Sequence, residues 1–177
     1  MKRRLVGLCL VLGFALAVPA MGQSRGIVGA DGALNIPVGN FADDTGIGFG
    51  ALGRYELPLL SQLNLTARSG IILSVASTQD SFGVPKNYAF HVFPIWGGVK
   101  CFVWETAYAA LEVGLNVLIA AGDSTSAETA AKLGLNLGGG YQINDLDLRL
   151  GLQMYDVPHA GDSFALMFSV GYTFLKL

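Results

Sequence analysis

Leu146-Asp147-Leu148-Arg149-Leu150-Gly151-Leu152-Gln153-Met154-Tyr155 alternates without a break. Leu146, Leu148, Leu150, Leu152 and Met154 share one parity, and Asp147, Arg149, Gly151, Gln153 and Tyr155 share the other. A period of two places successive side chains on opposite faces of an extended strand, so this segment has one dry face and one polar face. The next segment repeats the pattern. Phe164, Leu166, Phe168, Val170, Tyr172 and Phe174 alternate with Ser163, Ala165, Ser169, Gly171 and Thr173, with Met167 the one exception.

Working backwards, Ala109 to Ile119 sets Leu111, Val113, Leu115 and Val117 against Tyr108, Ala110, Glu112, Gly114 and Asn116. Leu133, Leu135 and Leu137 stand against Lys132, Gly134, Asn136 and Gly138. The first half is less regular but compatible, with strands predicted over Gly26–Val38, Thr45–Glu56, Leu63–Ser74 and Tyr88–Val103. In the last of these Phe93, Ile95, Val99, Cys101 and Val103 share the dry face, while Pro94 and Gly97-Gly98 predict a bulge or an irregular edge. Tyr55, Tyr141 and Phe174 fall near one set of strand ends, and Tyr88, Phe90 and Phe164 near the other, as interfacial girdles would require. The connections alternate in length. Leu57–Gln62, Trp104–Thr106 and Asn144-Asp145 are the shorter set; Gly39–Asp44, Val75–Asn87, Gly122–Glu128 and Val157–Asp162 are on average longer and rich in Asp, Ser, Gly and Pro.

The chain is 52% hydrophobic and 14% charged, against about 45–50% and 25% in soluble domains. No segment after the first 22 residues has the roughly 18 uninterrupted apolar residues of a transmembrane helix. A transmembrane barrel reconciles the two facts, because lipid-facing and lumen-facing residues alternate. At the N-terminus, Lys2, Arg3 and Arg4 precede an apolar run from Leu5 to Val18, and Ala20-Met21-Gly22 offers small residues for cleavage. That succession predicts a secretory signal peptide over 1–22, with 23–177 as one barrel domain. Removing it takes away three basic residues and no acid, leaving eight against thirteen. The resulting net charge, −5, and the lack of a basic stripe exclude a nucleic-acid partner. One cysteine remains, Cys101, so no internal disulfide is possible.

The expected fold is therefore all-β: a closed, antiparallel, up-and-down transmembrane barrel of about eight strands. Open sheet edges cannot be left in hydrocarbon, which requires closure, and at about eight strands the interior is only wide enough for side chains to fill. The inward parity carries Asp31, Arg54, Arg68, Lys100, Glu112, Lys132, Asp147 and Arg149. Both signs occur in a confined space, so a polar network plugging the lumen is expected. Parity is symmetric, however: a soluble, lipocalin-like ligand-binding barrel would turn the same rows inside out, and a narrow channel would leave the lumen open.

The signal segment, the Gly-rich alternating strands and the amphipathic Ser163–Leu177 segment together resemble small outer-membrane barrels of the OmpA/OmpX-like kind. Asn35-Ile36-Pro37-Val38-Gly39-Asn40-Phe41, followed by Gly46-x-Gly48-Phe49-Gly50, is similar to the opening hairpin of the outer membrane protein beta-barrel domain family, and Gly98-Val99-Lys100 is similar too. The resemblance implies location in the outer membrane, contact with its lipid and with the barrel-assembly machinery, a monomeric barrel and a possible extracellular ligand at the loops. It implies no reaction. One departure is the terminal Leu177, where the family usually ends on an aromatic residue.

Chemistry has few candidates. His159-Ala160-Gly161-Asp162-Ser163 brings base, acid and nucleophile types into one loop, the set a lipid-modifying hydrolase or acyltransferase would need. Such residues are also ordinary turn formers. His91 and Cys101 are isolated, and neither they nor Asp43, Asp44 and Asp80 have metal-ligand spacing, so no metal or other cofactor is expected. Gly134-x-x-x-Gly138-Gly139-Gly140 lacks the Lys-Ser/Thr of a phosphate loop and predicts strand curvature or small lumen-facing positions.

Overall fold

Because each alternating segment leaves one dry face and two rows of unpaired amides, it must find partners on both sides. The computed structural model, which describes residues 26–79, 85–121 and 128–177, satisfies every such edge by closing eight strands into a barrel. In chain order these are β1 (Ile27–Pro37), β2 (Thr45–Leu60), β3 (Leu63–Gln79), β4 (Pro85–Phe102), β5 (Ala107–Ala121), β6 (Glu128–Ile143), β7 (Leu146–Met154) and β8 (Phe164–Lys176). All neighbours pair antiparallel, and β1 meets β8 from Ile27↔Lys176 to Pro37↔Ala165. The expected signal segment lies outside the described residues.

Several strands run further than their sequence pattern predicts. The second continues through Pro58 to Leu60, so the β2–β3 connection is Ser61-Gln62 alone. Proline costs one ladder bond, and the register shifts locally between Pro58 and Leu60. The expected Val75–Asn87 loop is likewise shorter, since Val75–Gln79 pairs with Pro85–Ala89. The bulge predicted at Pro94 and Gly97-Gly98 does not occur: β4 holds one register against β3 and β5, and the β3 pairing merely skips Phe93 and Pro94. Gly98 serves close approach instead. A Cβ there would overlap the Leu111 carbonyl oxygen, and one at Gly140 would overlap that of Leu148, so glycine lets a narrow barrel curl.

At one end Ser61-Gln62, residues 103–106 and Asn144-Asp145 make the turns, with Asn144 taking φ 56°. The described chain begins and ends there too, where the Leu177 amide donates to the Gly26 carbonyl at 2.8 Å. At the other end the β1–β2 loop carries a one-turn helix, α1 (Phe41–Asp44), and the β7–β8 loop a 3-10 helix over Val157–Asp162. The expected alternation of short turns and longer loops is present. Among the described residues no helix is long and apolar enough to cross a membrane.

Which way the rows face is the decisive feature. Leu146, Leu148 and Leu150 are 51, 40 and 57% exposed on the outer wall, while Asp147 and Arg149 are buried inside at 5 and 6%. Phe49, Ile95, Val113, Leu137 and Phe168 continue the exposed apolar wall around the barrel. This excludes the lipocalin-like arrangement, in which the greasy rows would form the core.

Candidate functional site

The interior is built in layers because inward-facing positions at the same height come from all eight strands. Toward the short turns lies an ionic layer. Arg54 donates through Nη1 to Glu56 Oε1 and to Asp147 Oδ2, both at 2.6 Å, and its Nε lies 3.2 Å from Asp31 Oδ1. Arg68 pairs with Asp31 Oδ2 through Nε at 2.9 Å and Nη2 at 2.8 Å. Lys100 Nζ reaches Glu56 at 2.9 Å, Asp147 at 2.6 Å and the Gln142 side-chain oxygen at 2.8 Å. Arg149 donates through both terminal nitrogens to the two Glu112 oxygens at 2.9 Å each, a two-pronged, charge-assisted contact. The Tyr108 hydroxyl donates to Asp147 Oδ1, and Lys100 sits 4.1 Å from the Tyr108 ring centre.

Seven of the eight residues expected in this network are therefore brought together: Asp31, Arg54, Arg68, Lys100, Glu112, Asp147 and Arg149. Lys132 is not among them. Although on inward parity, it lies near the loop end of β6, its side chain 39% exposed, and pairs with Asp156 at 2.9 Å. The residue that completes the layer is Glu56, at 1% exposure. The expected set holds three acids and five bases, an imbalance a buried site would not tolerate. Exchanging Lys132 for Glu56 gives four carboxylates and four cations. Two signals pointed to Glu56: that missing charge, and the parity it shares with Arg54.

Above the ions comes an amide layer. Arg149 Nη2 donates to Asn136 Oδ1 at 3.1 Å, Trp96 Nε1 to Asn116 Oδ1 at 2.9 Å, and Asn116 Nδ2 to the Tyr155 carbonyl at 3.0 Å. Asn35 Nδ2 donates to the Tyr155 hydroxyl. Toward the loops the filling turns apolar, with Leu52, Ile72, Val92, Met167 and Tyr155 buried together. Phe41 of α1 enters from above, its ring 5.1 Å from Tyr155 and 6.2 Å from Phe90. Phe90 thus packs against this interior cluster, a correction to its expected place in an outer girdle. Tyr55, Tyr141 and Phe174 do project outward near the short turns, at 42, 58 and 60% exposure.

The loop candidates assemble differently from the expected triad. His159 Nδ1 lies 3.0 Å from Asp156 Oδ2, so the acid beside the histidine is Asp156; the side chain of Asp162 lies outside the described residues. The one Ser163 Oγ proton faces the backbone carbonyls of His159 at 2.9 Å and Asp156 at 3.1 Å, and the oxygen accepts from the Asp156 amide at 3.2 Å. That hydroxyl staples the loop and is not aimed at the imidazole. No group of three metal-ligating side chains occurs among the described residues.

The Lys132 ammonium, with smaller help from His159, holds the Asp156 carboxyl below its ordinary value of 3.8. A carboxyl whose folded value is depressed contributes stability that is full above the ordinary value and is lost as pH falls through the folded one. Lys132→Ala should therefore move the Asp156 titration upward, read by carboxyl NMR. Global unfolding should change little, since the pair lies at the loop end, outside the buried ionic layer, and solvent screens it.

Neither a protein-family model nor a curated protein matches the sequence. Solved structures do. The N-terminal β-barrel domain of Pseudomonas aeruginosa OprF aligns at a TM-score of 0.50 and 13% identity, covering 86% of this chain and all of that one. Ail, the attachment invasion locus protein of Yersinia pestis, gives 0.49 and 10%, covering 85 and 97%. Neisserial surface protein A gives 0.48 and 16%, covering 84 and 97%. The likeness to the OprF domain is one of fold, the small closed barrel expected from the sequence.

Proposed function

We propose that this chain is an integral outer-membrane barrel, its lumen closed by its own side chains, with a structural or surface-interaction role rather than a catalytic one. One observation carries the reading. The outer wall is apolar on every strand, while four carboxylates and four cations are sealed within. Soluble monomers rarely expose contiguous apolar patches beyond a few hundred Å², and hydrocarbon is the medium in which such a wall is stable. On this reading its partners are outer-membrane lipid and the barrel-assembly machinery. A barrel that pairs all its own edges needs no second copy.

Closure of the lumen is supported by the space left within it. The cavity among the ionic groups is about 10 Å³, at the lower limit for a single water. The apolar cluster capped by Phe41 lies above it. The commitment of Ser163 to backbone carbonyls speaks against the lipid-modifying alternative.

The test is membrane fractionation with heat-dependent gel migration, followed by planar-bilayer recording. The expected result is a membrane-embedded, heat-modifiable species that gives no sustained conductance steps. A freely soluble mature chain would overturn the membrane reading, and regular unitary steps would overturn the plug.

A further inference from the structure

At the short-turn end the first seam of the barrel is uneven. β2 runs on to Leu60, whereas β1 begins at Ile27, which pairs with Glu56. On its other flank β2 stays paired to β3 down to Leu60↔Leu63. Leu57-Pro58-Leu59-Leu60 therefore has a partner strand on the β3 side and, among the described residues, none on the β1 side. Such a flank offers unpaired backbone groups to any extended chain that reaches it.

The chain that enters β1 is aimed along this flank. Gly26 is buried, and a Cβ there would overlap the Tyr55 ring, so the backbone passes directly beneath a β2 side chain. On the β8 side the Gly26 carbonyl accepts the Leu177 amide at 2.8 Å. β1 and β2 hold one register from Asn35↔Gly48 to Ile27↔Glu56, each step back along β1 matching one step forward along β2. Continued past Ile27, that register sets Gly26, Arg25, Ser24 and Gln23 against Leu57, Pro58, Leu59 and Leu60 in turn. The cleavage expected after Gly22 leaves those same residues, 23–26, ahead of β1. The segment and the flank have equal length.

From this match we infer that the flank of β2 at residues 57–60 is a docking edge for the chain's own mature N-terminus: residues 23–25 continue β1 along it and finish the seam. The occupant is this chain and not a second copy. Gly26 already anchors the segment at the first residue of the flank, so its pairing is intramolecular, and a strand from another molecule competes against a tethered one. Pro58 supplies no amide, which leaves the flank fewer donors than a regular edge and makes it a poor template for untethered strands. The inference rests on cleavage after Gly22 and is independent of what fills the lumen.

The test uses the barrel exported and processed in cells, whose intact mass should match a start at Gln23; any other start overturns the length match. In a Cys101→Ser background, Ser24→Cys paired with Leu59→Cys should form an intramolecular disulfide on mild oxidation of the folded protein, because directly opposed residues of an antiparallel ladder lie within disulfide range. Ser24→Cys paired with Leu63→Cys, one strand further over, should not. Cross-linking to both positions alike, or to neither, would mean that the segment does not lie along β2. As a second measurement, a chain that starts at Gly26 should exchange the amide hydrogens of residues 57–60 about tenfold faster than the mature barrel, the scale of one net backbone hydrogen bond. Unchanged exchange there overturns the docking. Heat-modifiable migration shows that each variant has folded. A barrel that embeds normally yet fails these tests sinks this inference alone and leaves the membrane reading standing.

Discussion

Glu112→Ala is expected to destabilise the barrel by about 3–5 kcal/mol, the range for removing one partner of a buried ion pair. Glu112 is fully buried on β5 and accepts both terminal nitrogens of Arg149 at 2.9 Å, the Thr66 hydroxyl at 3.2 Å and Arg68 at 3.5 Å. The two cations fare differently without it. Arg68 keeps Asp31, whereas Arg149 keeps only the Asn136 oxygen at 3.1 Å. The cost is thus mainly that of an uncompensated guanidinium beside a cavity of only about 10 Å³. Urea unfolding in lipid vesicles, followed by tryptophan fluorescence, measures it. The double variant Glu112→Ala/Arg149→Met should recover most of the loss, because removing both charges leaves neither unpaired. A single variant within about 0.5 kcal/mol of the parent, the range of ordinary surface substitutions, would mean that Arg149 reaches solvent and that the plug is porous.

The layer that Glu112 anchors was largely legible in the sequence, and the reason is geometric. In a closed barrel the inward row can be counted from any one secure strand, and β7 supplied it: with Leu146 to Leu152 outside, Asp147 and Arg149 must be inside. Counting is weakest at the ends of a predicted strand. Glu56 closes the predicted second strand on the parity of Arg54 and could have been counted inward; at the last predicted position the turn lay as near as the lumen, whereas β2 in fact runs on through Pro58 to Leu60. Lys132 illustrates the opposite limit, since parity gives direction but not height, and the residue sits too near the rim to join the layer. The apolar half of the lumen was hidden altogether. Leu52, Ile72 and Val92 lie on inward parity within apolar neighbourhoods, so alternation carries no contrast there. Phe41 reaches the interior from a loop, where periodicity says nothing.

The orientation itself is exposed to a sharper test than fractionation. Leu150→Arg is expected to cost about 2–4 kcal/mol of folding into a bilayer, and Ile143→Arg only about 0–1 kcal/mol. Both positions carry large aliphatic residues that are more than half exposed, Leu150 at 57% and Ile143 at 53%. They differ in height. Leu150 is at the middle of β7, paired to Gly139 and Phe168, whereas Ile143 ends β6 beside the Asn144-Asp145 turn. In water, two such exposed positions should respond alike to a cation, each within about 0.5 kcal/mol. Only a low-dielectric slab makes the cost depend on depth, because a guanidinium near the boundary can reach headgroups and one at mid-height cannot. Urea titrations of both variants in vesicles read the difference directly. Equal losses would place Leu150 outside hydrocarbon, and the leucine row of β7 would then need another explanation than lipid.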